Sequence, residues 1–493
     1  MIYNANLPKI IKLGEMHKNE VKTSHRITIP NHFHSTENEK QEENDMTGKE
    51  LVQKTLRHEE TPRAPWVPFT GVHAGKLKGY TATEVLKDGG KLFDSLMEVH
   101  RLYTPDGMPI VFDLQLEAEI LGCELMWADD NPPTVTTHPL QDTDEIPEKI
   151  VAPGDGRLPL VMDVCRRVKA AVGEDTAIYG LFCGPFTLAS HLRGTKLFMD
   201  MKKKPGQVEA LMDYACRNAL AMVDMYAEAG ADVIATVDPL VSQISPKHFE
   251  AYLTKVYTKV FDHIRAKGLQ SAFFVCGNAM RNLEVMCQTH PDSLSIDENI
   301  PMAEAKAVTD KYNIAIGGNI PLTTTMLFGN QQDNMKFVVD MIDSVDRRNL
   351  IVSPGCDMPY DIPLENTIAA VQAVHDVDKY RELLRDYEGG ADDVEVEIPD
   401  YAALQKPLVE AFTLDSISCA ACTYMWASAC DAKEAYGDRI DVVEYKYTTR
   451  EGIARCKKMG VKNLPSLYIN GKLYYSSIIP SREEFFAEID KLL

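Results

Sequence analysis

Between residue 65 and about residue 377, short apolar runs alternate with longer segments whose apolar residues recur at helical spacing, such as Pro205–Ala229 and Lys247–Lys267. The apolar runs are Pro65–Gly71, Pro109–Asp113, Thr176–Gly184, Asp232–Pro239, Ser271–Gly277, Ser293–Asp297, Asn313–Ile320 and Asn349–Cys356. Alternating strands and helices are typical of a parallel sheet, and eight such strands predict a (β/α)8 TIM barrel. A doubly wound open sheet is the alternative, but no Gly-x-Gly-x-x-Gly turn follows the first strand.

The flanking segments divide the chain into further parts. Residues 1–45 are polar and weakly periodic, which predicts a disordered N-terminal extension. The barrel is expected over residues 46–385, and an acidic linker that contains glycines over residues 386–405. A small second domain then occupies residues 406–493.

The second domain has the pattern strand, helix, strand, helix, strand, helix, and Cys419-Ala-Ala-Cys422 opens its first helix. This pattern resembles thioredoxin-like proteins, and Leu464-Pro465-Ser466 resembles the cis-proline turn that faces the cysteines in them. A helix N-terminus lowers a thiol pKa, so Cys419 is the expected attacking thiol and Cys422 its partner in a reversible disulfide. Two packing cysteines, or a metal-transfer pair, are the alternatives.

Composition narrows the function classes. The net charge is −21, which disfavours nucleic acid because its phosphates would be repelled. No run of eighteen apolar residues and no secretory signal pattern occur, so we expect a cytoplasmic protein without a membrane partner. Eleven scattered cysteines in a chain of this length indicate reduced thiols rather than a disulfide framework.

Polar residues collect where the predicted strands end, which in a barrel is the face that carries the chemistry. In chain order they are His73, Asp113, Cys183, Asp238, Cys276, Asn278, Asp297, Asn319 and Cys356. We predict catalytic roles for Asp113, Asp238, Asn278 and Asn319. The alternatives are helix or turn caps for the two aspartates, a turn for Asn319, and simple packing for Cys183.

Cys276 and Cys356 each follow a buried run that glycine interrupts. Two thiolates that face one cavity form half of a site for a soft metal, and zinc is the expected ion. Small buried core residues are the alternative, since unpaired cysteine is often buried.

Residues 48–378 resemble the uroporphyrinogen decarboxylase superfamily, and within it the corrinoid-dependent methyltransferase branch. The matching stretches are Phe112–Glu124, Gly184–Ser190, Glu228–Asp232, Cys276–Asn278, Gly318–Asn319 and Ser353–Cys356. The resemblance implies a TIM barrel that moves a methyl group between a small substrate (a thiol, methyl ether or amine) and cobalamin. No Asp-x-His-x-x-Gly stretch is present, so a separate corrinoid protein is the implied carrier of the cobalamin.

The zinc motif of that branch resembles His-x-Cys after the fifth strand and Cys after the eighth. Here Cys276 and Cys356 match, but Phe274 stands in the histidine position. Zinc normally takes at least three protein ligands. The third ligand is therefore expected to be His73 or, second, Glu119; otherwise the metal is lost.

Two other functions remain open. A uroporphyrinogen decarboxylase-type lyase is disfavoured, because the segment Thr70–Lys76 lacks the arginines with which that branch grips its carboxylate-rich substrate. A non-catalytic corrinoid-binding thiol-redox protein is favoured by the missing histidine. In either case we expect the Cys419–Cys422 pair to serve the barrel thiols, since a short linker raises the effective concentration of the two domains.

Overall fold

Seven parallel strands form a curled sheet in a computed structural model that describes residues 46–389, 394–417 and 420–493, residue 420 by its backbone alone. The predicted disorder of residues 1–45 lies outside the described residues, as do the middle of the predicted linker and Cys419. The strands in the first part of the chain are β1 (Gly107–Pro109), β2 (Leu125–Met126), β3 (Thr134–Val135), β4 (Ala177–Cys183), β5 (Val233–Val237), β6 (Gln270–Val275), β7 (Ser293–Ile296), β8 (Ala315–Ile320) and β9 (Leu350–Pro354). The short strands β2 and β3 form a separate antiparallel pair.

The curled sheet has the order β1-β4-β5-β6-β7-β8-β9, and Trp66 closes it. Trp66 makes a parallel bridge to Val352 of β9, while its carbonyl accepts hydrogen bonds from the amides of Asp106 and Gly107 at the start of β1. The predicted strand Pro65–Gly71 is therefore reduced to a bridge. The arrangement is the barrel-like α/β fold that the alternation predicts, rather than the open sheet.

Helices surround the sheet. They are α1 (Gly48–Leu56), α2 (His73–Lys76), α3 (Ala82–Lys87), α4 (Gly89–Tyr103), α5 (Leu116–Ile120), α6 (Leu158–Val172), α7 (Pro185–Arg193), α8 (Lys196–Lys203), α9 (Pro205–Ala229), α10 (Pro246–Tyr252), α11 (Thr254–Ala266), α12 (Leu283–Cys287), α13 (Met302–Thr309), α14 (Gln331–Asp343), α15 (Leu364–His375) and α16 (Val377–Leu383). Thr47 and Glu50 form a capping box that starts α1, and α9 begins at a proline and ends at Gly230, whose φ of 91° suits glycine.

The interior of the barrel is filled by apolar side chains from alternating strand positions. Val233, Ala235 and Val237 of β5 belong to this interior cluster, and Ile234 belongs to the outer cluster beneath the helices. Val52 and Leu56 of α1 join the interior cluster, and Lys49 of α1 donates its amide to the carbonyl of Asp175 just before β4. Helix α1 therefore packs against the end of the barrel at which the strands begin.

A second, four-stranded sheet follows, with the order β11-β10-β12-β13. Its strands are β10 (Leu408–Thr413), β11 (Asp441–Lys446), β12 (Ser466–Ile469) and β13 (Lys472–Ser476), and its helices are α17 (Ala420–Tyr436), α18 (Arg450–Met459) and α19 (Arg482–Asp490). Strands β10 and β11 are parallel, while β12 and β13 run antiparallel to their neighbours.

Strand β13 is absent from the sequence prediction, which ends the last strand at Gly471. Asn470 and Gly471 both have positive φ and join β12 to β13 as a two-residue hairpin. An Asn-Gly pair between strands is the strongest short hairpin signal, so this strand could have been predicted. No helix in the described part of the chain is long and apolar enough to cross a membrane.

Candidate active site

A cavity of about 150 Å³ lies at the carboxyl ends of the barrel strands. Its wall collects the residues that follow the strands, and two further residues come from the second sheet. The lining residues are Val72, Phe112, Leu114, Gln115, Asp130, Asn131, Pro132, Thr187, His191, Pro239, Cys276, Leu322, Thr323, Cys356, Asp357, Met358, Pro359, Tyr360, Leu414 and Thr448. The cavity therefore occupies the face where barrels of this type carry their chemistry.

Cys276 and Cys356 meet in the wall of this cavity. Cys276 directly follows β6 and Cys356 lies two residues after β9, and their Cα atoms are 5.9 Å apart. Their sulfurs are joined as a disulfide. The structure thus brings the two predicted zinc ligands together, but in the oxidised form, which differs from the expectation that every cysteine is reduced.

Phe274, two residues before Cys276, stands where the zinc motif has its histidine. Its side chain is fully buried in the barrel interior, with its ring centroid 4.7 Å from that of Phe69 and 5.9 Å from that of Phe112. An aromatic ring in this packed cluster offers a metal no lone pair. The departure from the histidine of the zinc motif is therefore a change from a ligand to a core residue.

The two residues predicted as substitutes for that histidine are engaged elsewhere. His73 is fully buried; its Nδ1 donates to the carbonyl of Tyr360 at 2.9 Å, and its Nε2 accepts from the hydroxyl of Tyr103 at 2.7 Å. Burial lowers the pKa of His73 to about 4. Glu119 accepts a hydrogen bond from Nε of Arg157 at 2.8 Å, and neither residue lines the cavity.

The residues present do not fit a zinc ion. Sulfurs that are bonded to each other offer no thiolate, and thiolates are the form that binds zinc. Within the described ranges, no group of three or more His, Cys, Asp or Glu side chains is arranged to hold a metal. Reduction of the disulfide would provide two thiolates and still leave the third ligand missing.

Asp238 directly precedes the lining residue Pro239, and both of its carboxylate oxygens accept hydrogen bonds. Its carboxylate accepts hydrogen bonds from the amides of Phe186 and Thr187, from the Thr187 hydroxyl at 2.6 Å, and from the hydroxyl of Tyr257. The side chain is fully buried, and burial raises its pKa to about 6. These contacts fasten the start of α7 to the end of β5, as a cap would.

The other residues predicted to be catalytic also have structural partners. Asp113 accepts from the amide of Gln115 at 2.9 Å and pairs with Arg157. Asn319 donates to the carbonyls of Asp297 and Ile300. Asn278 donates to Asn463 of the second sheet's domain at 2.7 Å. Since none of the four lines the cavity, their catalytic roles remain predictions.

Four residues that line the cavity were not predicted from the sequence, and each has a buried polar atom that lacks a hydrogen-bond partner within the described residues. The buried polar atoms Oε1 of Gln115, Nε2 of His191, Oγ1 of Thr323 and Oδ1 of Asp357 have no hydrogen-bond partner among the described residues. Burial lowers the pKa of His191 to about 4 and raises the pKa of Asp357 well above its usual range. Gly71 lets Asp357 approach, since a Cβ there would lie 1.9 Å from Oδ1.

Two residues of the second sheet's domain line the cavity: Leu414, which follows β10, and Thr448, which lies two residues after β11. Polar and apolar contacts join this domain to the barrel, and Ala421 and Tyr424 belong to the barrel's outer apolar cluster. The Ser190 hydroxyl of α7 donates to the Tyr424 hydroxyl of α17 at 3.0 Å, and Thr134 of β3 donates to the carbonyl of Ile417. Arg281 donates to the carbonyl of Ser477 at 3.2 Å. We call residues 408–493, which make these contacts, the cover domain.

Known proteins match the barrel part of the chain. The sequence profile of the family described as uroporphyrinogen decarboxylase (URO-D) matches residues 47–377. The chain belongs to the URO-D family.

Relatives within the family narrow the class of activity. The methylcobamide:CoM methyltransferase MtbA of Methanosarcina acetivorans is 26% identical over 330 residues, which cover 65% of this chain and 96% of the relative. The methylcobamide:CoM methyltransferase MtaA of Methanosarcina barkeri is 30% identical over 279 residues, covering 54% of this chain and 79% of the relative. A solved methyltransferase from Methanosarcina mazei covers 68% of this chain and 99% of its own, with 25% identity and a TM-score of 0.62.

A uroporphyrinogen decarboxylase of Prochlorococcus marinus also matches, at 23% identity over 284 residues, 56% of this chain and 79% of the relative. Its identity is lower than that of these methyltransferases, and a solved methyltransferase shares the fold. These relatives place the chain among the enzymes of the family, as a methyltransferase.

Proposed function

We propose that this URO-D family methyltransferase moves a methyl group between a small substrate held in the cavity and a corrinoid carried by a separate protein. The observation that carries the proposal is the cavity at the strand ends. It lies in a barrel that aligns with nearly the whole length of a methylcobamide:CoM methyltransferase. A bound corrinoid supplies a cobalt centre that accepts or gives the methyl group.

The residues of the chain hold and shield the small substrate. Phe112, Leu322 and Met358 give the cavity apolar walls that exclude water, while the polar atoms of Gln115 and Thr323 orient the substrate. A cavity of about 150 Å³ has room for a molecule of about the size of benzene. The closed cavity thus suits the small substrate, and the large corrinoid has to approach from outside it.

Access to the cavity then requires the cover domain to move. Leu414 and Thr448 of the cover domain line the cavity, so the corrinoid reaches the small substrate once these residues move aside. The cover domain is held by hydrogen bonds, such as Ser190 with Tyr424 and Asn278 with Asn463, and by apolar packing, since Ala421 and Tyr424 belong to the barrel's outer apolar cluster. Domains of one chain commonly move relative to each other, and opening here must separate both kinds of contact.

The zinc predicted from the sequence takes no part in this proposal, because the third ligand is missing. Its presence is a matter for metal analysis of the reduced, anaerobically purified chain. Binding of about one zinc per chain that is lost in both Cys276→Ser and Cys356→Ser would restore zinc to the account.

The proposal is tested with the full-length chain and free cobalamin. We expect reduced protein to accelerate either demethylation of methylcobalamin by small thiols or methylation of cob(I)alamin by methyl thioethers, ethers or amines. The corrinoid absorbance follows both directions. Turnover of uroporphyrinogen without any reaction of cobalamin would contradict the proposal.

A second proposed activity concerns Cys419, Cys422 and Pro465 in a thioredoxin-like cover domain. The observation that favours it is Leu414, whose amide donates to Sγ of Cys422 at 3.2 Å while the residue also lines the cavity that contains the disulfide. Cys422 lies in the first turn of α17, and the Leu464–Pro465 peptide is cis. Leu414 thus contacts the sulfur of Cys422 and also forms part of the cavity wall.

In this exchange, the Cys419 thiolate attacks the Cys276–Cys356 disulfide and forms a mixed disulfide, which Cys422 then resolves. Two electrons pass to the barrel pair, two protons balance its thiols, and a Cys419–Cys422 disulfide remains for an external dithiol reductant to reduce. A dithiol recycling system should therefore reduce the barrel disulfide faster in wild type than in Cys419→Ser, as measured by mass spectrometry after alkylation. Equal rates would separate the cover domain from the barrel disulfide.

A further inference from the structure

The cavity wall has an unusual charge composition. No lysine or arginine is among its described lining residues, whereas two aspartates are, Asp130 and Asp357. The single histidine in the wall, His191, is held neutral by burial, which lowers its pKa to about 4. A negatively charged group in this cavity would find no cationic partner among the described lining residues.

The four polar atoms without a partner point to the complementary ligand chemistry. Oε1 of Gln115 can only accept a hydrogen bond, and Nε2 of His191, Oγ1 of Thr323 and Oδ1 of Asp357 can each accept one in at least one of their forms. Gln115, His191 and Thr323 are at least nine-tenths buried. Buried polar atoms are normally satisfied, so four such atoms on residues that line one cavity suggest a polar molecule bound among them, and Oε1 of Gln115 requires a donor from it.

We propose that the cavity selects a small methyl-bearing substrate that carries a hydroxyl or ammonium donor and no negative charge. This inference rests on the proposed methyl transfer and specifies its substrate class. It separates the chain from the relatives named for CoM, because coenzyme M is 2-sulfanylethanesulfonate, an anion. Burying a sulfonate here would remove its hydration without providing a counter-charge, and Asp357 would add repulsion if ionised.

Neutral and cationic compounds do not need a cationic partner in the cavity. A hydroxyl or ammonium group donates to the acceptors of Gln115 and Thr323, while its methyl-bearing end lies against Phe112 and Leu322. The aromatic rings of Phe112 and Tyr360 also tolerate a cation, since the face of such a ring is electronegative. The size of the cavity limits the substrate to roughly the volume of a single six-membered ring.

Three methyl thioethers that share the 2-(methylsulfanyl)ethyl group and differ in the polar group at its end test this selection by calorimetry with the full-length chain. They are 2-(methylsulfanyl)ethanol, 2-(methylsulfanyl)ethylammonium and 2-(methylsulfanyl)ethanesulfonate. None of them can exchange with the Cys276–Cys356 disulfide, and none needs a corrinoid in order to bind. We expect the alcohol and the ammonium compound to bind at least tenfold more tightly than the sulfonate. A sulfonate that binds as tightly as the others, or no binding by any of the three, would overturn the proposal.

A charge placed in the cavity should reverse the preference. Gln115→Lys adds a cation to the wall, and we expect it to raise the affinity for the sulfonate at least tenfold and to lower that for the ammonium compound. Gln288→Lys is the matched control, because Gln288 is exposed and does not line the cavity. Gln115→Leu should weaken binding of the alcohol about fivefold. Unchanged affinities in a folded Gln115→Lys would overturn the proposal.

The two proposals fail separately. If the alcohol binds and no methyl exchange with cobalamin occurs, the proposed function fails and the binding site stands. If methyl exchange occurs with the sulfonate as the preferred donor, the proposed function stands and the substrate class is wrong.

Discussion

Two sets of polar side chains surround the same strand ends, and they differ in whether their atoms have partners. Asp113, Asp238 and Asn319, which we call the belt, are tied to backbone amides, carbonyls, hydroxyls and an arginine. Gln115, His191, Thr323 and Asp357, which we call the wall, each leave a buried polar atom without a partner. Position at a strand end therefore marks a polar layer, and only the unsatisfied members of the layer indicate a ligand.

The largest effect should come from the belt. Asp238→Ala removes the acceptor for two amides and two hydroxyls, so we expect a loss of about 3–5 kcal/mol in the free energy of unfolding. Urea unfolding followed by circular dichroism measures it. Asp238→Asn keeps part of the network and should lose less. A loss below about 1 kcal/mol would mean that Asp238 is not structural.

The next effect concerns the cover domain. Tyr424→Phe together with Asn463→Ala removes the hydrogen bonds to Ser190 and Asn278, each worth about 1 kcal/mol. If the cover domain must open, its open fraction and the rate at which a water-soluble phosphine reduces the Cys276–Cys356 disulfide should rise at least tenfold.

Tyr436→Phe is the control for the cover variant, because the Tyr436 hydroxyl donates to Asp490 within the same domain. It removes a hydrogen bond of the same kind without touching the barrel. The same rise in the control, or no rise in the double variant, would show that these contacts do not govern access to the cavity.

His191 provides a pH test of the wall. Its pKa is lowered to about 4 in the folded chain against 6.5 in the unfolded chain, so only the unfolded chain gains a proton between these values. Stability should fall as the pH drops from 6.5 toward 4, and at pH 5.5 His191 should account for about 1 kcal/mol of the loss. His191→Gln should lose correspondingly less between pH 7.5 and pH 5.5. An equal pH dependence in both proteins would place His191 in contact with water.

The smallest effect is the one that distinguishes the wall from the belt. Thr323→Val keeps the shape of the side chain and removes a hydroxyl that has no partner. We expect the free energy of unfolding to change by less than about 0.5 kcal/mol or to rise, because no hydrogen bond is broken. A loss comparable to that of Asp238→Ala would show that the Thr323 hydroxyl stabilises the fold as the belt residues do.

Much of the barrel could be predicted from the sequence because its strands are continuous apolar runs. Strand β4, for example, is buried at all seven positions, as parallel strands are. The first predicted strand forms only a bridge at Trp66, because Pro65 and Pro68 lack the amide hydrogens that a ladder needs. The approach of Cys276 and Cys356 to one cavity also followed from their places at two strand ends, but their disulfide was not predicted.

The rest of the site depends on contacts between distant parts of the chain. His73 sits at the mouth of the first run, as predicted, but its ring is held by Tyr103 and Tyr360, and the Tyr360 contact spans 287 residues of sequence. Ser190 meets Tyr424 across 234 residues. Whether a polar atom is satisfied is decided by such contacts, so local patterns predicted the second domain but neither the wall nor the contribution of that domain to the cavity.

The most direct measurement is methylation of cob(I)alamin by wild type and by Gln115→Lys, with each of the three methyl thioethers and with the corresponding methyl ethers and methylamines. We predict that wild type forms methylcobalamin from donors with a hydroxyl or ammonium group, and that Gln115→Lys shifts the preference to the sulfonate. The shift would locate the methyl transfer in this cavity. Formation of no methylcobalamin from any donor, or the same donor preference in both proteins, would contradict methyl transfer from a cavity that selects against anions.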